Sequence, residues 1–469
     1  MRQEHEENKE NGIQKTSGKG GEKMKKAKST KTAAEKKTME ESFRIVAKDM
    51  KISNDCRKTG LNGHDLVVGS AGAGKTGGYV TPNLLICDHS MVVGDTKGQL
   101  ARKYGAYLKK KGFKTVTVDF VNPENSATYN MLDFIDTYQQ YFVESDGKAH
   151  LQNKYRTKDI KKIVNLLVPD EMDTHERFWV DSARAVISSL IAYVLEVMHP
   201  LACNMVSVLD LYQELIREVA EFQHMTKSEQ DNWKGISFFA ELEKEDPQNF
   251  AVKMYKMYSG NFIAEKCWSS ICQFVSNALE IFVYPELRGL FDGMSTLDFA
   301  DLGKRKTVLF VNVSDTDRSM DSIVNIFYSQ LFQVLCREAD RNPEGRLDMP
   351  VRIMLDDFAA NVYIPDFDKI ISVIRSREIH TSIILQSLSQ LETMYKRASA
   401  QTIINNCDCK IFLGGQDRDT ADYIADLAGC LPESVMSLEN NREWVVTRGQ
   451  KARCVERLTP LQTDPFTNA

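Results

Sequence analysis

Large apolar side chains are almost absent from the first 40 residues, and from about residue 60 short continuous apolar runs begin to alternate with amphipathic stretches. The runs are strand-length: Asp65 to Val68, Ser90 to Gly94, Thr115 to Phe120, Thr307 to Val313, Val351 to Leu355, Ser382 to Leu385 and Lys410 to Leu413. Between several of them lie helical patterns such as Gly98 to Lys111 and Ser322 to Ala339. Uninterrupted apolar strands separated by amphipathic helices predict a mainly parallel sheet covered by helices on both faces, the α/β class. From about 155 to 295 the alternation gives way to helix after helix. One is expected to start at Asp173, whose side chain caps while Glu176 reaches back, and to align Trp179, Ala183, Val186, Leu190 and Val194 before Pro200 stops it. Another is expected from about Phe262 to Phe282, with Trp268, Ile271, Cys272, Val275 and Leu279 on one face. The predicted organisation is a tail (1–40), an α/β domain in two sequence pieces (41–154 and 296–469), and an inserted all-α domain (155–295).

Composition refines this picture. With 42% hydrophobic residues in 469 positions the chain can bury ordinary cores. The tail cannot offset the entropy of ordering and is expected to be disordered. It holds eleven Lys/Arg against seven Asp/Glu, so the net charge of −5 leaves −9 on the rest, and any contact with nucleic acid must be local. The lysines between Lys15 and Lys37 suit DNA, an anionic lipid surface or plain solvent. Ten cysteines include no C-x-x-C pair, which points to reduced thiols in a cytosolic protein. The opening residues lack the apolar core of a signal peptide. The longest apolar stretch, Ala185 to Met198, is too short to span a bilayer, so no transmembrane segment is expected.

The most specific chemistry is Gly69-Ser70-Ala71-Gly72-Ala73-Gly74-Lys75-Thr76, a G-x-x-x-x-G-K-T phosphate loop entered from the apolar run His64 to Val68. Its glycines let the backbone curl so that consecutive N–H groups surround phosphates at a helix N-terminus. Lys75 is placed for the β- and γ-phosphates of ATP, and the Thr76 hydroxyl for Mg²⁺. A second signal is the strand ending in Asp356 and Asp357: the first carboxylate suits Mg²⁺ and the second an attacking water. A third is Gln386 at the end of another apolar strand, either a sensor between γ-phosphate and water or a capping residue. Asp95 and Lys97 follow a further strand end, as site residues or as a helix cap. The stretch Lys154 to Lys162 reads as a DNA contact or a solvated helix face.

Taken in order, these pieces resemble the type IV coupling proteins, the TraG/TraD-like ATPases of conjugation and type IV secretion, relatives of the FtsK-type DNA translocases. The matching residues are the phosphate loop with Pro82-Asn83-Leu84-Leu85 after it, and Val92-Val93-Gly94-Asp95-Thr96-Lys97-Gly98. Phe178-Trp179 with Ser182-Ala183, Leu355-Asp356-Asp357-Phe358-Ala359 and Gln386-Ser387-Leu388-Ser389-Gln390-Leu391 complete the set, so the resemblance covers about 60 to 460. It implies a RecA-like motor domain, an all-α domain facing substrate, and a homo-hexameric ring. Such a ring moves single-stranded DNA, with a relaxase or another secreted protein, toward a membrane secretion channel. It also implies that Arg375, or less directly Arg377, is an arginine finger presented to a neighbour's γ-phosphate. Other readings are a DNA translocase of chromosome or plasmid handling, and a nucleotide-gated receptor with little hydrolysis. Two departures stand out. A polar tail occupies the place of the family's usual transmembrane helices, which implies a cytoplasmic protein recruited to the inner membrane face. Asp357 replaces the usual Glu and is one methylene shorter.

Overall fold

The computed structural model of the chain describes residues 42–143, 149–170, 177–358 and 362–458. The expected disorder of residues 1–40 lies outside these residues. The central feature is a nine-stranded sheet, β13-β12-β11-β3-β10-β9-β4-β8-β5 in spatial order. Its parallel part consists of β3 (Asp65–Val68), β4 (Ser90–Gly94), β5 (Lys114–Asp119), β8 (Thr307–Asn312), β9 (Val351–Leu355), β10 (Ile379–Leu385) and β11 (Cys409–Phe412). These are the seven runs expected from the sequence. In β3, β4, β8, β9 and β10 every residue is buried, because layers of side chains cover both faces.

Six further strands escape the apolar-run criterion. β12 (Arg442–Thr447) and β13 (Arg453–Glu456) extend the sheet antiparallel from β11. Their alternation is hidden because Glu443 occupies a buried position and Trp444 a half-buried one. β1 (Phe43–Ala47) and β2 (Met50–Ser53) form a hairpin, as do β6 (Thr137–Val143) and β7 (Ala149–Tyr155), whose glutamines and asparagine break any apolar run.

Between β7 and β8 the secondary structure is helical, beginning with Thr157–Leu167 and ending with Phe299–Leu302. Its central element is the 21-residue helix Arg177–Val197, which buries Ala183, Val186, Leu190 and Val194, while Trp179 is only partly covered. The expected cap at Asp173 falls outside the described residues. Among those residues this helix alone is long and apolar enough to cross a membrane, which the apolar run Ala185 to Met198 had not suggested; 67% of its most apolar window is buried inside the protein. The second expected helix is shorter than its pattern. Glu265–Leu279 is α-helical, flanked by 3₁₀ turns at Ser259–Ile263 and Glu280–Phe282, and it buries Trp268, Ile271, Val275 and Leu279 while Cys272 stays half-buried. One apolar core runs from these helices to the sheet face carrying Leu309, Val311, Ile353 and Leu355. The ten cysteines are free thiols, and no cluster of potential metal-ligating His, Cys, Asp or Glu occurs among the described residues.

Candidate nucleotide site

The phosphate loop leaves the C-terminal end of β3, a strand flanked by β10 and β11, and is fastened to both neighbours. Gly69 N donates to Leu385 O (3.1 Å) and Ser70 N to Gly414 O (3.0 Å). Gly69 tolerates no side chain, because a Cβ there would lie 2.9 Å from the Leu413 Cβ. Gly72 (φ 76°) and Gly74 (φ 82°) take the left-handed backbone conformation that side chains disfavour. Downstream, the chain makes one π-helical turn, Thr76–Val80, before the α-helix Thr81–Ile86 with Pro82 in its first turn.

Five of the expected site residues converge on this loop. Thr76 Oγ1 donates to Asp356 Oδ2 at 2.9 Å, joining the loop to the end of β9 two strands away. Lys75 is buried, not solvent-facing: its Nζ donates to the carbonyls of Gly69 (2.8 Å) and Ser70 (3.3 Å) and lies 4.0 Å from Asp357 Oδ1. Asp357 adopts φ 48°, with its N–H donating to Asp356 Oδ1 (3.1 Å), and Gln386 Nε2 approaches Asp357 Oδ1 at a long 3.5 Å. Burial pushes the Asp356 carboxyl up to about 6; the Thr76 hydrogen bond and Lys75 pull it down, and the Asp357 charge adds to the rise. A hydroxyl and two carboxylates are hard oxygen donors of the kind Mg²⁺ selects, so this donor set fits that ion.

The other candidates are placed apart. Asp95 accepts from the N–H groups of Gln99 and Ala101 (both 3.0 Å), so it caps the helix Gln99–Lys110, and Lys97 sits exposed beside it. Both line a separate cleft of about 710 Å³ with Asp119 and Asn312. Arg375 is exposed in the 3₁₀ turn Ile374–Arg377 that precedes β10, while Gln386 follows that strand's other end. Seven strand residues separate the two by roughly 23 Å, so Arg375 cannot serve its own phosphate loop. Arg377 is engaged within the chain, by Asp340 (2.8 Å) and the Val373 carbonyl (3.1 Å). In the Lys154 to Lys162 stretch Asp159 is buried against Arg337 (3.0 Å), while Lys158 and Lys161 are exposed.

Sequence reasoning missed two supports of the site. The first lies under the loop. Asp65 is fully buried, in contact with Arg44 (2.8 Å) and Arg352 (3.1 Å), and it accepts from the Tyr79 hydroxyl (2.6 Å), which also meets Ser382 (2.8 Å). Tyr79 belongs to the π turn, so this network anchors the element immediately after the loop. The neighbouring His64 and His380 are held well below their usual range, first by burial and then by nearby positive charge, so they add none. An aspartate and an arginine inside apolar strands were the available signal. The second support is Arg457, just beyond β13, whose guanidinium donates to the carbonyls of Ala73 and Asn440.

A phosphate loop and an acidic strand end on a parallel, helix-covered sheet define a RecA-like P-loop protein. The family model described as "Type IV secretory system Conjugative DNA transfer" matches residues 21–432, and the chain belongs to that family, the type IV coupling proteins. It is 23% identical over 372 residues to Protein VirD4 of Agrobacterium fabrum, covering 78% of this chain and 49% of the relative. The chain thus spans about half the length of the curated relative it matches. Among solved structures it is similar to the bacterial conjugative coupling protein TrwB. The unbound form gives a TM-score of 0.60 at 16% identity, covering 92% of each chain. TrwB with the ATP analogue ADPNP gives 0.59 at 15%, covering 89% of this chain and 90% of that one. TrwB with ADP and Mg²⁺ gives 0.56 at 16%, covering 84% of each.

Proposed function

We propose that this protein is the ATPase that couples substrate recruitment to a type IV secretion or conjugation channel, moving DNA and an attached protein. The observation that carries the reading is the Thr76–Asp356 hydrogen bond of 2.9 Å, with Lys75, Asp357 and Gln386 around it. ATP phosphates would occupy the loop, where backbone N–H groups at the start of the following helix would bind them, while Lys75 would exchange the Gly69 and Ser70 carbonyls for phosphate oxygens. Thr76 and Asp356 would hold Mg²⁺, which neutralises charge on the β- and γ-phosphates. Asp357 then orients the attacking water, and Gln386, within reach of Asp357, senses whether the γ-phosphate is present. The ADPNP and ADP–Mg²⁺ complexes of TrwB, which shares this fold, support ATP and Mg²⁺ as ligands. The family description, conjugative DNA transfer by a type IV secretory system, supports DNA and a secretion system as partners; the single-stranded form of the DNA, the relaxase and the membrane-embedded channel protein belong to this proposal.

A homo-hexameric ring completes the proposal, because Arg375 lies far from its own loop but exposed for a neighbour's. The test is steady-state ATP hydrolysis with and without single-stranded DNA. DNA-stimulated turnover that Lys75→Ala reduces to background is expected. Turnover in Lys75→Ala equal to that of the unaltered protein would remove this site from the reaction, and tight ATP binding without turnover would favour a nucleotide-gated receptor instead.

A further inference from the structure

We infer that Arg457 is a positioning residue of the nucleotide site, fixing the peptide that joins Ala73 to Gly74 so that its N–H faces the phosphates. The inference rests on the ATP-binding reading above. A peptide group is planar, with its carbonyl and N–H pointing opposite ways, so an outward Ala73 carbonyl dictates an inward Gly74 N–H. That plane turns about ψ of Ala73 and φ of Gly74, and Gly74, at φ 82°, lacks the side chain that would restrict the turn. The near half of the loop is held by the strands, through Gly69 N to Leu385 O and Ser70 N to Gly414 O. The far half is met from outside by Arg457, which donates to the Ala73 carbonyl and, through its other terminal nitrogen, to the carbonyl of Asn440. The approach is close: a Cβ placed on Gly74 would lie 3.6 Å from Arg457 Nη1.

The arginine itself is well supported. Its own N–H donates to Asn441 O (2.8 Å), continuing the β12–β13 hairpin, and the next residue packs on the π turn that follows the loop, since a Cβ on Gly78 would lie 2.9 Å from Leu458 O. Its Nε is buried without a partner, so the guanidinium is not closed into a bidentate ion pair of its own; the two carbonyls direct it. The C-terminal hairpin therefore acts as an outer brace for the phosphate loop.

Three proteins decide the matter: the unaltered chain, Arg457→Ala and Arg457→Lys, each compared for KM and kcat with ATP, for Kd of ADPNP with Mg²⁺, and for thermal melting. Arg457→Ala is expected to raise KM and Kd about tenfold, the scale of one charge-assisted hydrogen bond. Its kcat at saturating ATP is expected to stay within about threefold, since the arginine touches no reacting atom. Arg457→Lys, which reaches one carbonyl but cannot bridge two, should recover part of the loss. Binding within about twofold of the unaltered chain in Arg457→Ala, whatever its melting temperature, would overturn the positioning role while leaving the ATP reading intact. Failure of the unaltered chain to bind ADPNP would overturn both. Should Arg457→Ala not fold, Arg457→Lys with unchanged KM would overturn the inference on its own.

Discussion

Glu443 offers a quantitative test of how the C-terminal hairpin is built. It is 3% exposed on β12, and burial pushes its carboxyl from 4.5 up to about 8, against a downward pull from the Arg457 charge. Burial likewise lowers Arg457, with Glu443 opposing. In the unfolded chain Glu443 loses its proton near 4.5, whereas in the folded chain it keeps it to about 8, so between those values the native state binds the extra proton. Stability contributed at this position is therefore intact below about 4.5, falls as pH rises through the window, and stays lost above about 8. At about 1.4 kcal/mol per unit, the roughly 3.5 units between the two values set a ceiling of about 5 kcal/mol. Water entry and movement of the guanidinium relieve part of that cost once the group ionises, so Glu443→Gln, which keeps the shape and removes the charge, is expected to gain about 2–3 kcal/mol at pH 9. At pH 5 the gain should be under about 1 kcal/mol. Urea unfolding of both proteins at pH 5, 7 and 9 and constant ionic strength gives the difference directly, with every other titrating group cancelling. A gap that stays flat between pH 5 and 9, or a variant less stable at pH 9, would refute the reasoning.

Tyr79→Phe removes a buried hydroxyl shared by Asp65 and Ser382, so a loss of about 1–3 kcal/mol is expected in the same unfolding assay; an unchanged midpoint would show the network to be energetically idle. Because Arg375 is expected to act on a neighbour, Arg375→Ala and Lys75→Ala subunits should each be nearly inactive, by ~10³ for the arginine, yet recover part of the ATPase activity when mixed. No recovery, or full activity of Arg375→Ala, would count against a shared site.

The sequence alone determined the frame of this protein. Seven apolar runs became the seven parallel strands, because a strand covered on both faces is built mainly from apolar residues at consecutive positions, and that signal needs no knowledge of neighbours. The phosphate loop was equally legible, since its glycines, Lys75 and Thr76 are fixed by local backbone geometry and are contiguous in the chain. Tertiary structure decided what joins distant segments. Thr76 and Asp356 are 280 positions apart, and only the sheet order, with β10 between β3 and β9, brings them to 2.9 Å. It also decided what a polar residue does once buried. Asp95 caps its own helix, Asp65 ties two arginines and a tyrosine beneath the loop, and Glu443 lies within the field of Arg457. Arg457, 384 positions from Ala73, had no local pattern to mark it, because the role of a charged side chain is set by the carbonyls it meets, and those are chosen by packing.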